Sequence, residues 1–372
     1  MKFNRYTLSD LATIKYGKNQ KKVLSDSGTV PIFGTGGFMG FATTSLYDKP
    51  SVLIGRKGTI GKVKYVEQPF WTVDTLFYTI INTDLVIPKY LFYVMSLIDL
   101  NNYNEGTTIP SLRTETLNRL EFDIPDLEEQ RKILSCLNPI DEKIELNNAI
   151  NNNLEQQAEA IFQSILSNAI TTVNLGEIAD VKGGKRLPKG VNLIDIPNAH
   201  PYIRVRDLNN ALFASLTPNY AYVDKETQKS ISRYIVSTGD VLISIVGTIG
   251  LTAIVDLTLD KANLTENCVK VTNLKHITPE YLLLYLRSQL GREAIAKGTV
   301  GAVQQKLPIK NIQAIPIPLL SEKDKNALFC TLDSIFAGIS NNVIQSAKLA
   351  SLRDTLLPRL MSGELDVSDI DI

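Results

Sequence analysis

The sequence predicts an α+β fold. Two duplicated globular segments are joined by two long antiparallel helices, related by an approximate two-fold inside one chain. Three observations carry this reading. Two stretches of about forty residues keep an apolar seam with steps of four or three. The globular segments repeat one order of short motifs. The stretches lying between those motifs, 19–48 and 187–236, do not align with each other.

The first segment, residues 1–126, opens on Thr7-Leu8-Ser9-Asp10-Leu11, where a short helix is expected to start between Asn4 and Thr7. A basic loop (Lys18-Asn19-Gln20-Lys21-Lys22) and a glycine-rich one (Gly34 to Gly40) follow. The glycine spacing is not that of a dinucleotide fingerprint, so the loop reads as a turn between strands. Strands are expected at Ser51–Gly55, at 62–66 and at 75–81, and a helix over 89–100. Arg56-Lys57-Gly58-Thr59-Ile60-Gly61-Lys62 is not a phosphate loop: its glycines are misplaced, and no Ser or Thr follows the lysine.

The first helix, within residues 127–170, follows Ile124-Pro125. Its seam runs Ile133, Leu137, Ile140, Ile144, Asn147, Asn151, Leu154, Ala158, Ile161, Ile165. Asp126, Glu128, Glu129 and Gln130 supply acidic and amide groups where a helix start leaves N–H groups unpaired. Pro139 should kink the helix without ending it, because the seam resumes in register. Some forty residues make a rod of roughly 60 Å, too long for an ordinary core helix, so it requires a partner.

The second segment, 171–319, retells the order of the first. Leu175-Gly176-Glu177-Ile178 answers the opening, Lys182 to Arg186 the basic loop, and Gly247-Thr248-Ile249-Gly250 the Gly58 to Gly61 turn. Thr278-Pro279 opens a helix as Ile87-Pro88 does. Residues 320–372 then hold the second helix and a tail, with the seam Leu328, Leu332, Ile335, Ile339, Asn342, Ser346, Leu349, Arg353, Leu356, Leu360. Both seams turn polar near their middles, where a buried Asn specifies register at some cost in stability. The tail is expected to pack beside Tyr6–Leu11.

Net charge is zero, but it is unevenly spread: +2 over 1–126, −4 over 127–170, +5 over 171–319 and −3 over 320–372. Basic heads on acidic helices suit local electrostatic footprints better than a uniformly sticky surface. No uninterrupted apolar run reaches a membrane span, and no apolar signal segment follows Met1. Cys136, Cys268 and Cys330 are unclustered and read as buried reduced thiols of a cytoplasmic protein. His200 and His276 are far apart. No metal, cofactor or catalytic motif is expected, and the chain is read as binding rather than catalysing.

Two unlike heads on a rigid spacer suit an asymmetric double-stranded DNA target in two parts, since paired DNA readers sit about one helical turn, roughly 34 Å, apart. Arg, Lys, Gln, Ser and Thr carry the donors and acceptors that grip phosphates and read base edges. The candidate contacts in the first head are Lys18, Lys21, Lys22, Arg56, Lys57 and Thr59, backed by Thr107, Thr108 and Arg113. In the second they are Lys185, Arg186, Lys189, Arg204, Arg206, Ser244, Thr248, Gln304, Gln305 and Lys306. A coiled-coil adaptor that binds only proteins would explain the helices equally well. It would not explain why the inserts diverge while their frame persists.

Several motifs, in this order and largely doubled, resemble one family: Leu175-Gly176-Glu177-Ile178-Ala179, Ile203-Arg204-Val205-Arg206-Asp207-Leu208, Ile315-Pro316-Ile317-Pro318, Glu128-Glu129-Gln130-Arg131-Lys132-Ile133 and Leu356-Leu357-Pro358-Arg359-Leu360 through Gly363-Glu364-Leu365. Over essentially its whole length the chain resembles the specificity subunit of type I restriction–modification enzymes. The resemblance implies two target-recognition domains, each reading one part of a bipartite site, with the helices as ruler. It further implies docking of two methyltransferase subunits, which methylate adenine from S-adenosylmethionine, and motor–nuclease subunits for restriction. The departure is Glu322-Lys323-Asp324-Lys325, which stands where a repeat of Glu129-Gln130-Arg131-Lys132 is expected.

Overall fold

The computed structural model describes residues 2–209, 211–217 and 220–367. The chain divides into two compact units, one of Met1–Leu146 with Gln345–Ile372, the other of Asn147–Ile344. The expected tail packing is described only as far as Val367, and Ser368 to Ile372 lie outside the described residues.

The first unit runs β1 (Phe3–Thr7), α1 (Leu8–Leu11), β2 (Ala12–Tyr16), β3 (Val30–Gly34), β4 (Gly37–Ala42), β5 (Ser51–Gly55), β6 (Val63–Val66), β7 (Trp71–Thr72), β8 (Leu76–Ile81), α2 (Pro88–Ser96), α3 (Thr114–Asn118) and β9 (Glu121–Pro125), then enters α4 (Leu127–Leu166). An antiparallel sheet, ordered β2-β8-β5-β6, forms its centre. A smaller sheet is ordered β4-β3-β7, its β3–β7 pair parallel, and β1 pairs with β9. All five residues of β5 are buried because both faces of its sheet are covered. Val52 and Ile54 point into a core shared with α2 and α4, whereas Leu53 packs with Phe33 and Phe70 on the other side. Leu8, Leu11, Leu365 and Val367 belong to the first of these cores, so the described part of the tail joins the chain start.

The second unit continues with β10 (Thr171–Asn174), α5 (Leu175–Ile178), β11 (Asp180–Gly183), β12 (Pro201–Ile203), β13 (Phe213–Ala214), β14 (Ala221–Tyr222), α6 (Lys225–Ile231), β15 (Val241–Ser244), β16 (Thr252–Val255), β17 (Asn263–Leu264), β18 (Cys268–Thr272), α7 (Pro279–Arg287), α8 (Gln289–Gly298), α9 (Ile309–Gln313), β19 (Pro316–Leu319) and α10 (Glu322–Met361). Its large sheet is ordered β11-β18-β15-β16-β13 and its small one β14-β12-β17, with β12–β17 parallel. The first four strands of the large sheet follow the order β2-β8-β5-β6, and the small sheet follows β4-β3-β7. The duplication therefore extends into inserts whose sequences do not align. Strand pairing needs only an apolar face and a compatible path, which many sequences supply.

In each unit half of α4 packs antiparallel on half of α10. In the second unit Asn342 Nδ2 donates to Asn151 Oδ1 at 2.8 Å, and Leu154 lies against Gly338. Asn147 is fully buried there, its Nδ2 3.5 Å from the Asn342 carbonyl. In the first unit Ile133, Leu134 and Leu137 share a core with Leu357 and Leu360, and Arg353 Nη1 donates to Asp141 Oδ1 at 3.0 Å. Asp141 also accepts from the Tyr93 hydroxyl of α2. The predicted seam residues are all buried or half-buried, joined by a second face (Phe162, Phe336, Leu357, Met361) that packs into the units themselves.

Several expectations need correction. The chain is already extended as β1 before the first short helix, which starts at Leu8 after Thr7. Helix α2 ends at Ser96 rather than Leu100, because the Asp99 carboxylate caps a separate turn by accepting from Asn101 N at 3.0 Å. Only Cys268 is buried; Cys330 is exposed and Cys136 half-buried. Both long helices begin on matching caps, Asp126 Oδ1 accepting from Glu129 N and Ser321 Oγ from Asp324 N. Lys325 therefore occupies the place of Gln130, a register different from the one motif comparison suggested. Gln130 is fully buried and bonds Ile87 N, Leu85 O and Pro125 O. Lys325 instead turns to Glu322 at 2.7 Å.

Among the described residues one helix, Glu322–Met361, is long enough and over one window apolar enough (mean hydropathy 1.3) to cross a membrane. Of that window 22% is buried, and the helix residues Leu328, Leu332 and Ile339 lie in the core of the second unit.

Candidate nucleic-acid interface

In both units the loops bearing Lys18 and Lys185, and those bearing Arg56 and Thr248, lie at one end of the central sheet, where two strands leave and a third enters. Leaving β2, Gly17 donates to Leu76 O, and Lys18 N donates to Thr72 O at 2.8 Å. The Trp71 indole N–H donates to Lys18 O at 2.8 Å. Leaving β11, Gly184 donates to Cys268 O, Lys185 N to Leu264 O at 2.8 Å, and the Tyr202 hydroxyl to Lys185 O at 2.9 Å. Both glycines are obligatory for closeness: a Cβ on Gly17 would stand 2.0 Å from Val73 O, and one on Gly184 2.0 Å from Thr265 O. Lys18 and Lys185 thus sit on matching, rigidly held backbone with exposed side chains.

The second pair of loops is doubled as well. Leu112 N donates to Arg56 O at 2.9 Å, and Lys57 bridges Ser111. Leu307 N donates to Ile245 O at 3.0 Å, and Val246 bridges Lys306. This seats the loop bearing Thr107, Thr108 and Arg113 against Arg56, Lys57 and Thr59. It likewise seats Gln304, Gln305 and Lys306 against Thr248. All of these residues except half-buried Arg56 are exposed. Arg56 lies over the Tyr16 ring at 5.0 Å and donates to Asp74 O at 2.8 Å, which fixes its guanidinium at the loop rim.

The structure separates free cations from committed ones. Lys18, Lys21, Lys22 and Lys57 are exposed and enter no ion pair among the described residues. Arg113 pairs with Glu105 at 3.1 Å and Arg186 with Glu266 at 2.8 Å, although both side chains are largely exposed. Arg204 is a different case. It makes a two-pronged bond to Asp207, at 2.8 and 2.9 Å, with its side chain only 17% exposed, so it builds the turn that presents exposed Arg206. Ser244 is fully buried. Its Oγ donates to Thr248 O at 2.6 Å and accepts from Leu251 N at 2.8 Å, shaping the loop rather than meeting a ligand. In the first unit Gly55 holds that place, where a Cβ would stand 2.1 Å from Thr59 O. Lys189 stands in a separate exposed turn.

Sequence reasoning missed three further groups. Thr35, Lys62 and Lys64 join Thr59 around a cleft of about 470 Å³, where Lys64 lies 3.9 Å from the Phe33 ring centre and burial lowers its pKa. Arg292 of α8 and Thr299 line another cleft of about 420 Å³ beside Gly250 and Gln305. Arg287 of α7 ties the sheet to the spacer helix, donating to Thr252 O at 2.7 Å and pairing with Glu155 at 3.2 Å. The basic stretch at Lys62 to Lys64 was a usable signal; α8 has no counterpart in the first unit and gave none. Among the described residues no group of His, Cys, Asp and Glu could hold a metal ion.

Comparison with known proteins agrees with this doubled architecture. The family model "Type I restriction modification DNA specificity domain" matches residues 2–156 and 169–348. The MjaIX specificity subunit of Methanocaldococcus jannaschii is 24% identical over 351 residues, covering 87% of this chain and 80% of that one. The HindI specificity subunit of Haemophilus influenzae is 23% identical over 367 residues, covering 76% and 79%. The crystal structure of a type I restriction–modification S subunit from M. genitalium superposes with a TM-score of 0.59 at 18% identity, covering 97% of this chain and 96% of that one.

Proposed function

The chain belongs to the type I restriction–modification DNA specificity family, and on that premise we propose how its two units share the work. It is a specificity subunit, without catalytic chemistry of its own. Each unit reads one part of an asymmetric bipartite site in double-stranded DNA. The long helices set the spacing of the two parts and dock two methyltransferase subunits, with motor–nuclease subunits joining for restriction, in the cytoplasm.

One observation carries the reading. Two loops at the same sheet end are held by the same backbone bonds in both units, at Lys18 and Lys185 and at Arg56 and Ile245, while the side chains they present differ. A constant frame with variable donors is what two half-sites of different sequence require. Exposed lysines supply the sequence-independent grip on phosphates. Lys18, Lys21, Lys22, Lys57, Lys185 and Arg206 are assigned to phosphates. Thr59, Thr248, Gln304 and Gln305 are assigned to base edges.

Mapping adenine methylation in the host genome with and without this gene tests the proposal. Loss of one gapped, asymmetric motif on deletion is expected. An unchanged map, together with purified chain and methyltransferase that bind duplex DNA without sequence preference, would refute it.

A further inference from the structure

We propose that the β3–β4 hairpin of the first unit is an aromatic wedge that enters duplex DNA between two base pairs, a role that rests on the DNA-reading assignment above. Phe38, Met39 and Phe41 are 57%, 51% and 42% exposed, and Leu24 beside them is 54% exposed. The two rings meet edge to face at 5.0 Å. Phe38 and Phe41 form one patch, and Leu24 lies beside their strand. Ser25 N donates to Phe41 O at 3.0 Å, Leu24 bridges Ala42, and a Cβ on Gly40 would stand 3.2 Å from Leu24 Cδ1. A contiguous apolar patch left in water marks an interaction surface.

The surroundings select the occupant. Val23 N and Leu24 N both donate to Gln20 O, so Lys21 and Lys22 form the turn directly beside the patch, and both are exposed. A cleft of about 490 Å³ runs from Phe38 and Met39 to Asp74 and Thr75, the residues whose carbonyls hold Arg56 and Lys57. The hairpin therefore adjoins the reading loops. Protein interfaces are depleted in lysine around an aromatic core, whereas a duplex offers phosphates to the lysines and a base stack to the rings.

The tip is also thin. Gly37 and Gly40 adopt positive φ (113° and 131°), and a Cβ on Gly36 or Gly37 would meet nothing within 4 Å, so bare backbone can approach the groove. Among the described residues the matching strands of the second unit carry no such exposed rings: their Tyr202 and Tyr222 are buried. The wedge thus belongs to one half-site. It reads an easily unstacked base step, a specificity carried by deformability rather than by hydrogen bonds.

The test uses the chain assembled with its methyltransferase partner, and duplexes of the methylated motif carrying 2-aminopurine at each position in turn. With wild-type protein, fluorescence is expected to rise several-fold at one step in a single half-site. The Phe38→Ala/Phe41→Ala double variant should abolish that rise and weaken motif binding at least tenfold, with binding to motif-free duplex unchanged. Phe38→Trp should retain the rise, which excludes misfolding as the cause. Motif-specific binding by wild type without a rise at any position overturns the wedge and leaves the DNA-reading assignment standing. Absence of motif preference in wild type overturns that assignment itself. Failure of the double variant to assemble with the methyltransferase would make the patch a protein interface and equally overturn the wedge.

Discussion

Replacing Lys18, Lys21 and Lys22 together by alanine separates electrostatic grip from structural support. All three are exposed and enter no ion pair among the described residues, so each ammonium is available to displace a counterion from DNA. Each phosphate contact contributes about 0.9 to the slope of log K against log salt. Losing three should flatten the slope by about 2.7. Between 50 and 200 mM salt the wild-type complex should then lose about 40-fold more affinity than the triple variant. Lys18 is held through its backbone by Thr72 and Trp71, so removing its side chain leaves the loop in place. Arg204→Ala is the control: its guanidinium is committed to Asp207, so the salt slope should stay unchanged while the melting temperature falls. The assay is fluorescence anisotropy of a duplex titrated with the assembled complex at four salt concentrations. A triple variant with the wild-type slope, or an Arg204→Ala variant that loses slope without losing stability, would refute the assignment of free and committed cations.

Three further outcomes are expected. Gly17→Ala and Gly184→Ala each drive a Cβ to 2.0 Å from a backbone carbonyl; each should displace its lysine loop and by itself abolish methylation of the whole bipartite motif in a genome map. Leu332→Ala, at a fully buried seam position, should cost about 2–5 kcal/mol in chemical denaturation, whereas Leu352→Ala, 48% exposed, should stay within about 0.5 kcal/mol. Alkylation of the folded chain at pH 8 should label Cys330 first and Cys136 more slowly. Cys268 should react only on unfolding, since burial raises its thiol pKa to about 12 and leaves almost no thiolate at pH 8; labelling of Cys268 at the rate of Cys330 would contradict its burial.

Sequence alone determined the features that repeat along one dimension. The seams Ile133 to Ile165 and Leu328 to Leu360 are legible because a helix places every third or fourth residue on one face, so burial is written directly into spacing. The doubled openings at Leu8 and Leu175 are legible because their capping residues, Asp10 and Glu177, lie within one turn of their partners. Tertiary structure decided everything that depends on who covers whom. The small sheets share one topology although 19–48 and 187–236 do not align, because non-local strand pairing tolerates any sequence with the right apolar face. Arg204 and Arg206 look alike in the chain, yet Asp207 takes one and leaves the other to solvent. Ser244 reads as a donor for a ligand, until the fold turns its hydroxyl toward Thr248 and buries it. The stretch Gly34 to Gly40 reads as a turn, but Phe38 and Phe41 lie in strand β4 of the small sheet with their side chains exposed to water. Exposure is a property of the packed chain, and no local pattern encodes the absence of a neighbour.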